Sequence, residues 1–233
     1  MAEHLYESPK NPEQATRAAV VLPEIFGMNK FITSTTDRLA EELEVKAFAL
    51  DHFFPVTGKS QVFGYDDHQK PMETMQQLTG KQFMELFKAS LDEIQANNPG
   101  VQEFIVVGFC FGGKLSFLAA TDKRVTRVCS FYGSGSVNPG LFPDKSPIQM
   151  LAEARGKDTS LSVLGLFGET DPSIPAEARA ETKKLLTAAE IAYEEKVYAT
   201  GHAFMNFERD NMYSEPASKQ AWADITAFLS SDR

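Results

Sequence analysis

The sequence predicts an α/β fold, a mostly parallel sheet flanked by helices on both faces, formed as a single domain over residues 1–233. Three observations predict it. Short continuous apolar runs recur, such as Ala18-Ala19-Val20-Val21-Leu22 and Phe104-Ile105-Val106-Val107, which is how strands buried on both faces read. Longer segments between them carry apolar residues at helical spacing. Strand and helix alternate along the chain with no repeat and no change of composition, the pattern of crossovers in a parallel sheet. Ligands on such sheets bind beyond the carboxyl ends of the strands.

Residues 1–17 form a polar arm in which Leu5-Tyr6 offers an edge strand. Ala18–Leu22 is a strand stopped by Pro23, and Glu24–Gly27 is a turn. Lys30–Glu44 places Phe31, Ile32, Leu39, Ala40 and Leu43 on one helical face. Val45–Leu50 is a second buried strand, and Asp51–Pro55 is the loop beyond it. Residues 56–79 mix Gly, Pro, Asp and Gln with scattered Met and aromatics, as in a long loop with short helical pieces that covers a site. Gly80–Asn97 is a helix with Phe83, Leu86, Phe87, Leu91 and Ile94 on its stripe, ended by Pro99-Gly100. Arg124–Tyr132 reads as a strand and 139–158 as a loop with one helical turn near Met150. Leu161–Phe167 is a strand, Ala176–Ala189 a helix, Ala192–Tyr198 a strand and Thr200–Phe204 a turn. Ser214–Leu229 closes the fold with Trp222, Ile225 and Leu229 facing in.

Composition narrows the classes of function. The chain has 233 residues and a net charge of −9 without any Lys/Arg-rich block, which argues against nucleic acid or a membrane surface as partner. A small anion remains compatible, since a local cation can bind it on an acidic protein. No run of about 18 apolar residues exists to span a membrane, and the N-terminal segment lacks the pattern of a secretory leader. Two cysteines, Cys110 and Cys129, make no disulfide framework, and a cytoplasmic monomer with a free thiol is expected.

The chemistry centres on Gly108-Phe109-Cys110-Phe111-Gly112-Gly113, set between a strand and a helix. This is the pattern of a nucleophile elbow, with Cys110 where α/β-hydrolases usually carry serine. Glycines two before and two after the nucleophile remove Cβ atoms that would collide as strand and helix close. A helix starting near Phe111 aims its unpaired N–H groups and positive dipole end at the sulfur. Taken alone, the motif is equally compatible with a tight turn around a small buried thiol. A thiol nucleophile also needs a base and a carboxylate to orient it. Asp171 and His202 follow in the order nucleophile, acid, histidine, each just past a predicted strand. Of four histidines, His4 lies in the arm, His68 in the long loop, and His52 precedes the nucleophile in chain order.

These segments, together with Leu22-Pro23-Glu24-Ile25-Phe26-Gly27, Gly168-Glu169-Thr170-Asp171-Pro172 and Gly201-His202-Ala203-Phe204, resemble the dienelactone hydrolase family over nearly the whole chain. The resemblance implies an α/β-hydrolase fold and a Cys110-His202-Asp171 triad that cleaves a small-molecule ester or lactone through a thioester, with no metal or organic cofactor. It also implies Glu24 beside the thiol and an oxyanion hole from the backbone N–H groups of Ile25 and Phe111. The family's substrate-binding arginines are absent: Asn206 stands four residues after His202, Arg209 is the nearest cation, and 56–100 holds Lys59, Lys70, Lys81 and Lys88 but no Arg. A neutral or differently shaped lactone or ester is therefore as reasonable a substrate as dienelactone. The arm is short for the family, which leaves its first edge strand in doubt.

Plainer readings stand beside these. Cys129 suits core packing, Glu24 a surface turn, and Asp171 a helix cap, with Glu169 a rival acid. Asp66-Asp67-His68 lacks partners at metal-ligand spacing. Phe53 and Phe204 are candidate walls of a substrate pocket with Asn206 and Arg209. Competing functions are a thioesterase or promiscuous carboxylesterase on the same site, a ligand receptor that keeps the fold without turnover, and a redox-sensing thiol protein.

Overall fold

A computed structural model describes residues 2–231. The apolar runs form strands β1 (Leu5–Glu7), β2 (Arg17–Leu22), β3 (Lys46–Leu50), β4 (Glu103–Phe109), β5 (Val125–Phe131), β6 (Ser162–Gly168) and β7 (Ala192–Tyr198). Helices are α1 (Lys30–Leu43), α2 (Phe54–Thr57), α3 (Gln69–Gln77), α4 (Gly80–Asn97), α5 (Phe111–Ala119), α6 (Pro147–Arg155), α7 (Ala176–Ala188) and α8 (Glu215–Ser230). The sheet order is β1-β3-β2-β4-β5-β6-β7. Only β1 runs antiparallel, against β3, so the sheet is mixed and the arm does supply an edge strand.

Burial on both faces explains why the central strands are apolar throughout. In β2, Ala18, Val20 and Leu22 join the core beneath α4, α5, α6 and α7, while Ala19 and Val21 join the core beneath α1 and α8. β4 divides the same way, Phe104 and Val106 to one face, Ile105, Val107 and Phe109 to the other. Cys129 on β5 is fully buried in the second core, and burial pushes its thiol pKa up. No helix among the described residues is long and apolar enough to cross a membrane.

Two stretches hold more helix than expected. α3 occupies nine residues of the 56–79 segment. Within 139–158, α6 spans nine residues instead of a single turn. Its start is a reciprocal cap: the Gln149 N–H donates to Ser146 Oγ, and the Ser146 N–H donates to Gln149 Oε1. Pro147 sits at the first helical position, where its missing N–H is harmless. At the other end, the fully buried Arg155 donates to the carbonyls of Ala120, Asp122 and Val125 and pairs with Asp158 at 2.6 Å. That one side chain ties α6 to the turn between α5 and β5.

Candidate active site

The tight turn from β4 into α5 depends on glycine. A Cβ on Gly108 would stand 2.1 Å from the Gly112 carbonyl oxygen, and one on Gly112 would stand 2.1 Å from that of Leu22. The Gly112 N–H donates to Pro23 O at 3.0 Å, which locks the start of α5 onto the loop after β2. Between them Cys110 adopts φ 52° and ψ −112°. A non-glycine residue there carries strain of roughly 1–3 kcal/mol, held by its surroundings.

Asp171 and His202 arrive on the loops after β6 and β7. Asp171 Oδ1 accepts from the Ser173 N–H at 2.8 Å, and Oδ2 lies 2.6 Å from His202 Nδ1. With the acid so fixed, the ring's other nitrogen is free for chemistry. Burial alone would lower the His202 pKa. Hydrogen bonds to Asp171 and Cys110, with their charges, outweigh it and raise the value to about 10. The Tyr132 ring backs the imidazole at 5.1 Å.

Cys110 and His202 open into one cavity of about 530 Å³. Ile25, Phe111, Leu141 and Leu78 give it apolar walls, to which Met72 and Met75 of α3 add. The 56–79 segment therefore contributes to the cavity wall. The N–H groups of Ile25 and Phe111 have no acceptor among the described residues, and both residues line the cavity. Lys114, one turn into α5, lines it too.

Glu24 is fully buried and outside the cavity wall. Its Oε2 accepts from Asn206 Nδ2 at 2.7 Å. The Tyr132 hydroxyl lies beside the same carboxyl, yet neither it nor Oε1 completes a hydrogen bond of good geometry. Burial raises the Glu24 pKa, opposed by Asn206, Arg209, His202 and Tyr132.

The other residues expected at the substrate lie elsewhere. Phe53 is fully buried and not part of the cavity wall, stacked 6.0 Å from Phe111 and packed on Phe63. Phe204 is fully buried against Tyr132 and Tyr198. Asn206 is spent on Glu24 and Tyr65, and Arg209 covers the rings of Phe26 and Tyr65. Sequence reasoning missed Lys114 and the two methionines. Lys114 was detectable, since position i+4 from an elbow nucleophile lies one turn along the same helix. His52 is also fully buried, and neither ring nitrogen has a hydrogen-bond partner among the described residues.

Known proteins resemble this chain over nearly its whole length. The profile of the dienelactone hydrolase family matches residues 3–232. A protein of Salmonella typhimurium, provisionally named a carboxymethylenebutenolidase, is 28% identical over 223 residues, covering 93% of this chain and 78% of that one. A provisionally named dienelactone hydrolase from Klebsiella pneumoniae superposes with a TM-score of 0.80 at 26% identity, covering 98% of this chain and 92% of that one. A dienelactone hydrolase-like promiscuous phosphotriesterase from metagenomic libraries shares the fold, with a TM-score of 0.75 at 22% identity over 94% of this chain and 87% of that one.

Proposed function

The chain belongs to the dienelactone hydrolase family and is a hydrolase of ester or lactone bonds; from that premise we propose that it works through Cys110, His202 and Asp171 by way of a thioester. The observation that carries this reading is His202, bonded to Asp171 at 2.6 Å and facing the same cavity as Cys110.

The thiol proton passes to His202, whose imidazolium is stabilised by Asp171. The Cys110 sulfur attacks the substrate carbonyl. The developing oxyanion accepts from the Ile25 and Phe111 N–H groups, a contribution of roughly 3 kcal/mol per donor in comparable sites. Collapse breaks the acyl C–O bond, and the leaving oxygen takes the proton from His202. For a lactone that oxygen stays tethered as a hydroxyl. Water then gives a proton to His202 and attacks the thioester, releasing the acid and regenerating the sulfur. Glu24, close enough to His202 to interact with its charge, bears on the ionisation of the pair. No step calls on a metal or organic cofactor, and the whole chain acts as one hydrolase domain, monomeric and cytoplasmic.

The test is turnover of p-nitrophenyl acetate by wild type and Cys110→Ala, with acid quenching and peptide mass spectrometry. Acetylation of the Cys110 peptide, and loss of nitrophenol release in the variant, are expected. Undiminished release by Cys110→Ala would remove the thiol from the chemistry.

A further inference from the structure

Lys114 is a cation that the fold does not explain. It lies in the first turn of α5, where the helix dipole disfavours positive charge. It is partly buried, and burial lowers its pKa with no carboxylate beside it to compensate. Among the described residues its amine makes neither an ion pair nor a side-chain hydrogen bond, although it lines the cavity. The opposite wall leaves it bare. A Cβ at Gly135 or at Gly140 would come to 3.7 Å from Nζ, so the ammonium rests against two residues that have no side chain to cover it.

Withdrawing an ammonium part-way from water without a partner carries a cost, and it is tolerated where a ligand supplies the counter-charge. The cavity offers it one short path. Lys114 follows Cys110 by four residues, about 6 Å along a helix axis. Phe111 and Leu141 line the same cavity with apolar side chains. A substrate with its carbonyl at Cys110 can therefore lay a short hydrocarbon spacer on those side chains and bring a far end to the amine. We propose that Lys114 is a specificity-determining residue that binds a carboxylate on the substrate, so that the preferred substrates are anionic esters or lactones with a short spacer between carbonyl and carboxylate. This deepens the hydrolase reading and rests on it.

The test compares mono-p-nitrophenyl glutarate with p-nitrophenyl butyrate on wild type, Lys114→Met and Lys114→Arg. The ratio of kcat/KM for the anionic over the neutral ester should fall about tenfold to a hundredfold in Lys114→Met, the range of one charge-assisted hydrogen bond. The fall should lie mainly in KM and be largely restored in Lys114→Arg. A merely structural role would lower both esters together. Titration calorimetry with glutarate, on wild type and Lys114→Met, separates the two proposals. Heat of binding that the variant loses, with neither ester hydrolysed, would sink the hydrolase reading and keep the carboxylate site. Hydrolysis of both esters with an unchanged ratio would overturn Lys114 and leave the hydrolase reading standing.

Discussion

Replacing His52 by leucine should relieve the protein of an acid sensitivity. His52 is fully buried between the rings of Phe53 at 4.3 Å and Phe111 at 5.3 Å, and among the described residues neither nitrogen has a partner. Burial lowers its pKa from 6.5 to about 3. The sign follows from proton counting. Below 6.5 the unfolded chain binds a proton that the folded chain refuses until about 3, so stability is complete above that window and declines as pH falls through it. Each pH unit costs about 1.4 kcal/mol at most, so moving from pH 7 to pH 5 removes about 2 kcal/mol through this ring alone. Leucine has similar volume and cannot titrate, so His52→Leu escapes that loss. Urea unfolding at both pH values gives the stability difference between the two proteins, in which carboxylates far from His52 cancel. The difference should shift toward the variant by about 2 kcal/mol between pH 7 and pH 5. A difference that stays constant across the same pH range would show that the ring is hydrogen-bonded or hydrated in solution and would refute the reasoning.

Glu24→Gln should quicken alkylation of Cys110 by iodoacetamide at pH 8 by about fivefold, as expected from removing roughly 1 kcal/mol of like-charge interaction. Equal rates would detach Glu24 from control of the thiol. Arg155→Met should lower stability by about 3 kcal/mol, because three carbonyls and Asp158 lose a fully buried partner. That corresponds to a drop in Tm of roughly 6–12 °C for a chain of this size, read by thermal unfolding, and an unchanged Tm would show that water replaces the guanidinium without loss.

The strands were legible because burial on both faces writes itself as an unbroken apolar run, and the elbow because its geometry demands glycine at fixed offsets. Helix α6 was obscured by Pro143, Asp144 and Pro147, although Ser146, Pro147 and Gln149 spell a helix start. Proximity to a strand end picked out Asp171 and His202, which do meet, as well as Phe53 and Phe204, which turn away from the cavity, since a position in the chain does not fix where a side chain turns. Phe204 follows Ala203, whose φ of 56° redirects the backbone and sends the ring into the core. Asn206 serves Glu24 across 182 residues of sequence, a tertiary contact that no local pattern encodes. Lys114 directly follows the elbow motif, and its place on the cavity wall depends on the course of α5 rather than on any pattern in the motif.

The contrast between the two thiols gives the molecule a built-in handle. Cys129 is sealed inside the second core with its ionisation suppressed, while Cys110 stands at a cavity open to reagents. In the native state a thiol-directed probe should therefore attach once per chain, at Cys110. Counting that label measures how many molecules in a preparation are folded with the cavity accessible, and a fluorophore placed there would report what enters the cavity without any engineered residue.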